Sequence, residues 1–208
     1  MVLISTGSKA IDSLIGGGIR GGLVYDVFGQ SGSGKTQLCF SLAANCIKAG
    51  GQVLFVDTAG TFRPERISEM AGLANIEKIK YVRALTVQDQ LNAISRMSDA
   101  SLVIVDSLTF NFSAEYSGPT RHLAVMHYIH ELAVAAINSG CAVVCTNMVR
   151  NVPQENTERE FLGNTVSINT HVKIKLEIIE PAKSRCQAAF DGKSAEFYIT
   201  SQGISDSG

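Results

Sequence analysis

The chain has 208 residues, 45% apolar and 18% charged. That is enough for one α/β domain with its own core, and too little for two large ones. Its net charge of −1 excludes a strongly basic nucleic-acid binder, so any DNA contact must be local and weak.

Cys39, Cys46, Cys141, Cys145 and Cys186 contain no C-x-x-C pair and read as core thiols of a reducing compartment. No stretch approaches the ~20 apolar residues of a membrane span, and the N-terminus has no signal pattern. The expectation is a cytoplasmic protein without membrane contact.

Strand-like and helix-like patterns alternate along the chain. Residues 23–28 (LVYDVF) are a β-rich run that stops at Gly29, where a Gly/Ser-rich loop begins. Residues 36–49 carry apolar side chains at helical spacing and end at Gly50-Gly51, a C-cap signal. Residues 52–57 (QVLFVD) predict a strand, and Pro64 opens a helix that Gly72 closes. A short strand is predicted at 80–82 and a helix at 87–97. The all-apolar strand 102–106 (LVIVD) suits a sheet with helices on both faces. A helix over 123–138 ends at Ser139-Gly140, and 141–146 is again an apolar strand. Residues 150–164 are polar and aperiodic, which predicts a long functional loop. Residues 171–179, 185–190 and 196–200 alternate polar and apolar, like antiparallel strands with one wet face. The fold class is α/β: a mostly parallel central sheet flanked by helices, with a C-terminal antiparallel extension, in a single domain over 1–208.

Residues Gly29, Gln30, Ser31, Gly32, Ser33, Gly34, Lys35 and Thr36 match the P-loop pattern, after a strand and at the head of a helix. The glycines let successive backbone amides face phosphates, and the helix N-terminus adds partial positive charge. Lys35 can bridge the β- and γ-phosphates, and the Thr36 hydroxyl can ligate Mg²⁺. Asp106, ending LVIVD, is the expected Mg²⁺ partner through water.

STGSKAIDSLIGGGI at 5–19, the P-loop, VDTAGTFRPER at 56–66, LVIVDS at 102–107, AEYSG at 114–118 and TNMV at 146–149 come in the order and spacing of the RecA/RadA recombinase superfamily. The chain most resembles the archaeal and eukaryotic branch, and its length is similar to the short archaeal RadB-type paralogues, an ATPase core alone. The resemblance implies a RecA-like ATPase fold, ATP and Mg²⁺ as ligands, a link to homologous recombination and DNA repair, and contact with single-stranded DNA or a RadA-type recombinase. By matched position Arg66 lies against the adenine base, and Asn147 and Met148 form the sensor at the γ-phosphate.

Four departures from that pattern matter. The family reads D-T-E-G-T-F-R-P-E-R where this chain has Ala59 in place of the glutamate that activates water; losing a general base typically costs ~10²–10⁴ in rate, so weak or absent hydrolysis is expected, with Asp57 or Glu65 as partial substitutes. Met148 replaces the sensor glutamine, and a thioether donates no hydrogen bond. The first DNA loop is shortened to Gly118-Pro119-Thr120-Arg121, and the second, over 150–164, sets Arg150 and Arg159 against Glu155, Glu158 and Glu160. Finally, the chain starts at the core without a polymerisation linker, and the ATP cap is shortened to Asp191-Gly192-Lys193-Ser194. A monomer or small oligomer is expected rather than a filament.

The DNA candidates are Arg121, Arg150, Arg159, Lys173 and Lys175; the ordinary reading of the two lysines is a solvated strand face with edge-protecting lysines, and the sharper one is a small patch for single-stranded DNA. His122, His127 and His130 read as surface or packing residues. Three functions fit: a mediator of a recombinase with little turnover, an active DNA-dependent ATPase and strand-exchange recombinase, or a nucleotide-dependent scaffold of the clock and signalling branch.

Overall fold

The computed structural model describes residues 3–152 and 157–208. The chain opens with a small ribbon, β1 (Leu3–Ile4) and β2 (Ile19–Arg20), around helix α1 (Lys9–Leu14). There follow β3 (Val24–Gly29), α2 (Lys35–Lys48), β4 (Val53–Asp57), α3 (Pro64–Ala71), β5 (Ile79–Arg83), α4 (Val87–Ile94), β6 (Leu102–Asp106), α5 (Phe110–Glu115), α6 (Gly118–Ser139) and β7 (Ala142–Val152). The C-terminal part holds β8 (Thr157–Glu160), α7 (Gly163–Val166), β9 (Val172–Glu180), β10 (Arg185–Phe190), β11 (Lys193–Thr200) and β12 (Gly203–Ser205).

The main sheet runs in the order β12-β11-β10-β9-β3-β7-β6-β4-β5. It is parallel from β9 to β5 and antiparallel from β9 to β12. β4 (VLFVD) and β6 (LVIVD) are buried at every position. The alternation of their side chains splits them between two cores. Phe55, Ile104, Val144 and Tyr25 pack with α2 on one face. Leu54, Val103, Val143 and Val24 pack with α4 and α6 on the other. Parallel register carries the C-terminal ends of β3, β7, β6 and β4 to one edge of the sheet: Gly29 lies opposite Met148, and Asp57 opposite Asp106. Loops at that edge of an open α/β sheet are where such folds bind ligands.

The α/β expectation holds, with three corrections. Helix α4 stops at Ile94 rather than 97, because buried Met97 belongs to the turn that follows, where its amide bonds Ile94 O at 3.0 Å. The segment Gly118-Pro119-Thr120-Arg121 is the first turn of α6 rather than a loop; Pro in that turn suits a helix start. Residues 150–164 are not one long loop: β7 runs on to Val152 and pairs with antiparallel β8, Arg150 opposite Arg159, with 153–156 outside the described residues. That hairpin projects past the two-faced core, so burial imposes no alternating pattern on it. Asp191 and Gly192, at φ 50° and 72°, form the two-residue turn between β10 and β11, the geometry that a tight hairpin requires.

Candidate nucleotide site

The P-loop is built by close approach of backbone to backbone. A Cβ on Gly29 would sit 2.1 Å from the Leu176 carbonyl oxygen of β9, so only glycine fits where β3 ends. Gly34, at φ 95°, is the N-cap of α2 and supplies no side-chain cap. The first-turn amides of α2 are therefore left to a ligand. Ser31 and Gly32 face solvent, whereas Ser33 is buried and its hydroxyl has no hydrogen-bond partner. The Lys35 ammonium arches over the loop, donating to Gly29 O at 2.7 Å and Gln30 O at 2.8 Å. Burial lowers the Lys35 pKa, and the Asp106 carboxylate opposes that shift.

Asp106 collects hydroxyls from three elements. Its Oδ2 accepts from Thr36 Oγ1 at 2.8 Å and from Thr61 Oγ1 at 3.1 Å. Its Oδ1 accepts from Thr146 Oγ1. The structure thus brings Thr36 and Asp106, the two candidate Mg²⁺ residues, together, and adds Thr61 and Thr146, which carry no sequence signal beyond lying at loop and strand ends. Hard oxygen donors around a single carboxylate suit a small divalent cation such as Mg²⁺. The Lys35 ammonium, the uncapped helix start and the unpartnered Ser33 hydroxyl suit phosphate oxygens. The residues present fit a magnesium nucleotide.

The loop after β4 is fixed on the same carboxylate strand. The Thr58 amide bonds Asp106 O at 2.9 Å and its hydroxyl bonds Ser107 O at 2.9 Å. Ala59, exposed, stands between Thr58 and Thr61. Asp57, which could substitute for a missing base, is committed elsewhere. Its carboxylate accepts the amides of Ala59, Gly60, Thr61 and Phe62 and the Tyr81 hydroxyl, and it pairs with Arg83 at 3.5 Å. Glu65 is exposed in the first turn of α3.

The two sensor residues part company. Thr146 and Met148 share the face of β7 that looks at Asp106. Asn147 faces away: its amide donates to Glu160 Oε1 at 2.9 Å and Phe161 O at 2.8 Å, while its Oδ1 accepts from Thr109 Oγ1 and from the Met148 amide, both at 2.9 Å. Its hydrogen-bonding capacity is spent on the far side of the sheet, against the expectation of a γ-phosphate contact. Arg66 bonds Glu69 and, at 3.2 Å, the Thr200 carbonyl at the end of β11.

Among the DNA candidates, Arg150, Arg159 and Lys173 line one cleft of about 580 Å³ together with Phe28, His122 and Glu160. Lys173 is no solvated strand-face cation, because it lies between Asp26 at 3.2 Å and Glu160. Lys175 is paired with Glu177 at 2.5 Å. Arg121 donates to Tyr116 O at 2.7 Å and lies 5.8 Å from the Phe161 ring centroid. All five cysteines are buried and free. Burial raises the Cys39 thiol well above its ordinary value, which keeps it protonated and inert beside the P-loop. No helix among the described residues is long and apolar enough to cross a membrane.

The sequence matches the Rad51 family over residues 1–207. It is 35% identical over 192 residues to the DNA repair and recombination protein RadA of Metallosphaera sedula, covering 81% of this chain and 58% of the relative. It is also 35% identical over 189 residues to the protein of the same description from Cenarchaeum symbiosum, covering 79% of this chain and 48% of the relative. The chain therefore spans about half the length of the curated relatives it matches. On the match to the whole sequence, the chain belongs to the Rad51 family.

Proposed function

We propose that the chain binds Mg·ATP at the P-loop, hydrolyses it slowly or not at all, and serves homologous recombination and DNA repair as a RadB-like mediator or regulator of a RadA-type recombinase. Binding is supported by Lys35, Thr36 and Asp106, gathered at the head of α2, and by matched position in the family pattern Arg66 is the residue assigned to the base. The observation that carries slow turnover is exposed Ala59 on a loop clamped to Asp106, with Asp57 fully engaged and Glu65 on a solvent-facing helix turn. No carboxylate in that loop is free to activate a water at the matched position. Single-stranded DNA is a weak ligand, since Lys173 and Lys175 are neutralised by carboxylates.

The test is calorimetric titration with Mg·ATP and a phosphate-release assay on the same sample, with and without single-stranded DNA. Tight binding with negligible release is the expected result. Appreciable DNA-stimulated release would instead support an active strand-exchange ATPase.

A further inference from the structure

A polar chain runs behind the nucleotide site, on the face of the sheet away from α2. It starts at Asp26, three residues before Gly29 in the apolar run LVYDVF. Asp26 is 0% exposed, and neither carboxylate oxygen receives a hydrogen bond. The Lys173 ammonium on adjacent β9 lies 3.2 Å from Asp26 Oδ2 and 5.3 Å from the Phe28 ring centroid. The same ammonium donates to Glu160 of β8, to Ser167 Oγ at 3.0 Å and to Gly163 O at 3.4 Å. Glu160 accepts from Asn147, and Asn147 accepts from Thr109, three residues past Asp106. Both ends of the chain therefore join the nucleotide site: β3 feeds the P-loop, and Thr109 closes the loop behind Asp106. Its middle fixes β8 and α7.

Two carboxylates share one ammonium. Burial, and then the Glu160 charge, push the Asp26 carboxyl well above the usual range against the pull of Lys173, and Cys145 packs nearby on β7. Both carboxylates compete for Lys173, which bonds Glu160 and lies 3.2 Å from Asp26 Oδ2. On the site-facing side of β7 the thioether of Met148 offers no donor, whereas on the rear face side-chain hydrogen bonds lead from Thr109 through Asn147 and Glu160 to Lys173. Gly29 is the entry point. It pairs with both Met148 and Leu176, and its carbonyl now accepts from Lys35. A phosphate that draws Lys35 away releases that carbonyl.

We propose that Lys173 is a positioning residue that couples nucleotide occupancy of the P-loop to the β7–β8 hairpin, through Asp26 and Phe28 on one side and Glu160 and Asn147 on the other. The coupling rests on the nucleotide reading above. It needs contiguous groups with two arrangements, here Lys173 shifting between Glu160 and Asp26.

The test is hydrogen exchange of peptides covering 157–167 with and without Mg·ATP, beside calorimetric affinity, for wild type, Lys173→Met, Lys173→Arg, Asp26→Asn and Glu160→Gln. Wild type should show an ATP-dependent change in protection there. Lys173→Met and Glu160→Gln should bind ATP within about threefold of wild type and lose that change. Lys173→Arg should restore it in part, and Asp26→Asn, which keeps an oxygen within reach of Lys173, should keep it. If ATP binds but exchange at 157–167 is unaltered in wild type, or alters equally in Lys173→Met and Glu160→Gln, this proposal alone is overturned. Absence of ATP binding in wild type overturns it together with the nucleotide reading.

Discussion

Replacing Ala59 with glutamate should convert a binder into a catalyst. The side chain at 59 is exposed, so Ala59→Glu adds no buried charge, and its effect on stability should stay within about 0.5 kcal/mol. The backbone that carries it is held on both sides of the residue: Thr58 N to Asp106 O at 2.9 Å, and Thr61 Oγ1 to Asp106 Oδ2 at 3.1 Å. A well-placed general base contributes ~10²–10⁴ in rate. That is about 2.7–5.4 kcal/mol off the barrier at 1.36 kcal/mol per tenfold. The assay is steady-state phosphate release at saturating Mg·ATP, with affinity checked by calorimetry so that a gain in kcat is separated from a gain in binding. Turnover of Ala59→Glu equal to wild type at unchanged affinity would refute the view that this one position limits hydrolysis.

Lys35→Ala should weaken Mg·ATP binding by roughly 10–100-fold, the scale of one hydrogen bond to a charged group, without unfolding the protein, since Lys35 bonds only two loop carbonyls; titration calorimetry and a melting curve check both halves. Asp57→Ala should destabilise by about 3–5 kcal/mol in denaturant titrations, because it strands a set of loop amides and the Arg83 charge. At Asp206, desolvation raises the pKa, but the Ser8 hydroxyl and the amides of Ala10 and Lys9 outweigh it and hold the carboxyl below its ordinary value. A depressed pKa gives stability that is present above the unfolded value of about 3.9 and lost as pH falls through the folded one. Asp206→Asn should accordingly lose less melting temperature than wild type between pH 6 and pH 3, on the order of a degree or two of difference. Single-stranded DNA binding should show a log–log salt slope no steeper than about −2, from at most three arginines at ~0.7 each; Lys175→Glu should leave it unchanged, and a slope beyond about −5 would contradict the neutralised-lysine geometry.

What the sequence disclosed follows from where burial or local chemistry leaves a mark. LVIVD and QVLFVD are legible because helices cover both faces of the sheet, and GQSGSGKT because phosphate binding demands glycines at fixed positions. Asp106 was legible as the polar end of an apolar strand. Thr61 and Thr146 were not, since a threonine at a strand or loop end is ordinary until the fold brings it to a carboxylate. The orientation of Asn147 was hidden for a similar reason. Adjacent strand residues point to opposite faces, and only the hairpin contact with Glu160 and Phe161 shows which face each takes. The hairpin itself was missed because its strands lie outside the core, where pairing leaves no apolar alternation. Asp26 did have a signal, a lone acid inside LVYDVF, and such a residue must find a partner or keep its proton.

On the proposed reading, binding and hydrolysis are separable in this fold because different constraints fix their residues. The binding groups sit where the core places them: Gly29 is wedged against the β9 backbone, Thr36 heads a helix whose inner face is buried, and Asp106 ends a strand buried throughout. Changing any of them disturbs packing as well as affinity. Position 59 is exposed, so alanine there leaves the core undisturbed, and on the proposed reading it lacks the carboxylate that would meet a water. Asp57 cannot move in to compensate. To act as a base it must surrender the amides that shape the very loop carrying position 59, and each buried amide left unpaired costs about 1–3 kcal/mol. The loop would lose its geometry before the acid gained a substrate. On the proposed reading, such a chain would keep the nucleotide as a ligand, and its occupancy would reach the hairpin through Lys173 without any bond in the nucleotide being broken.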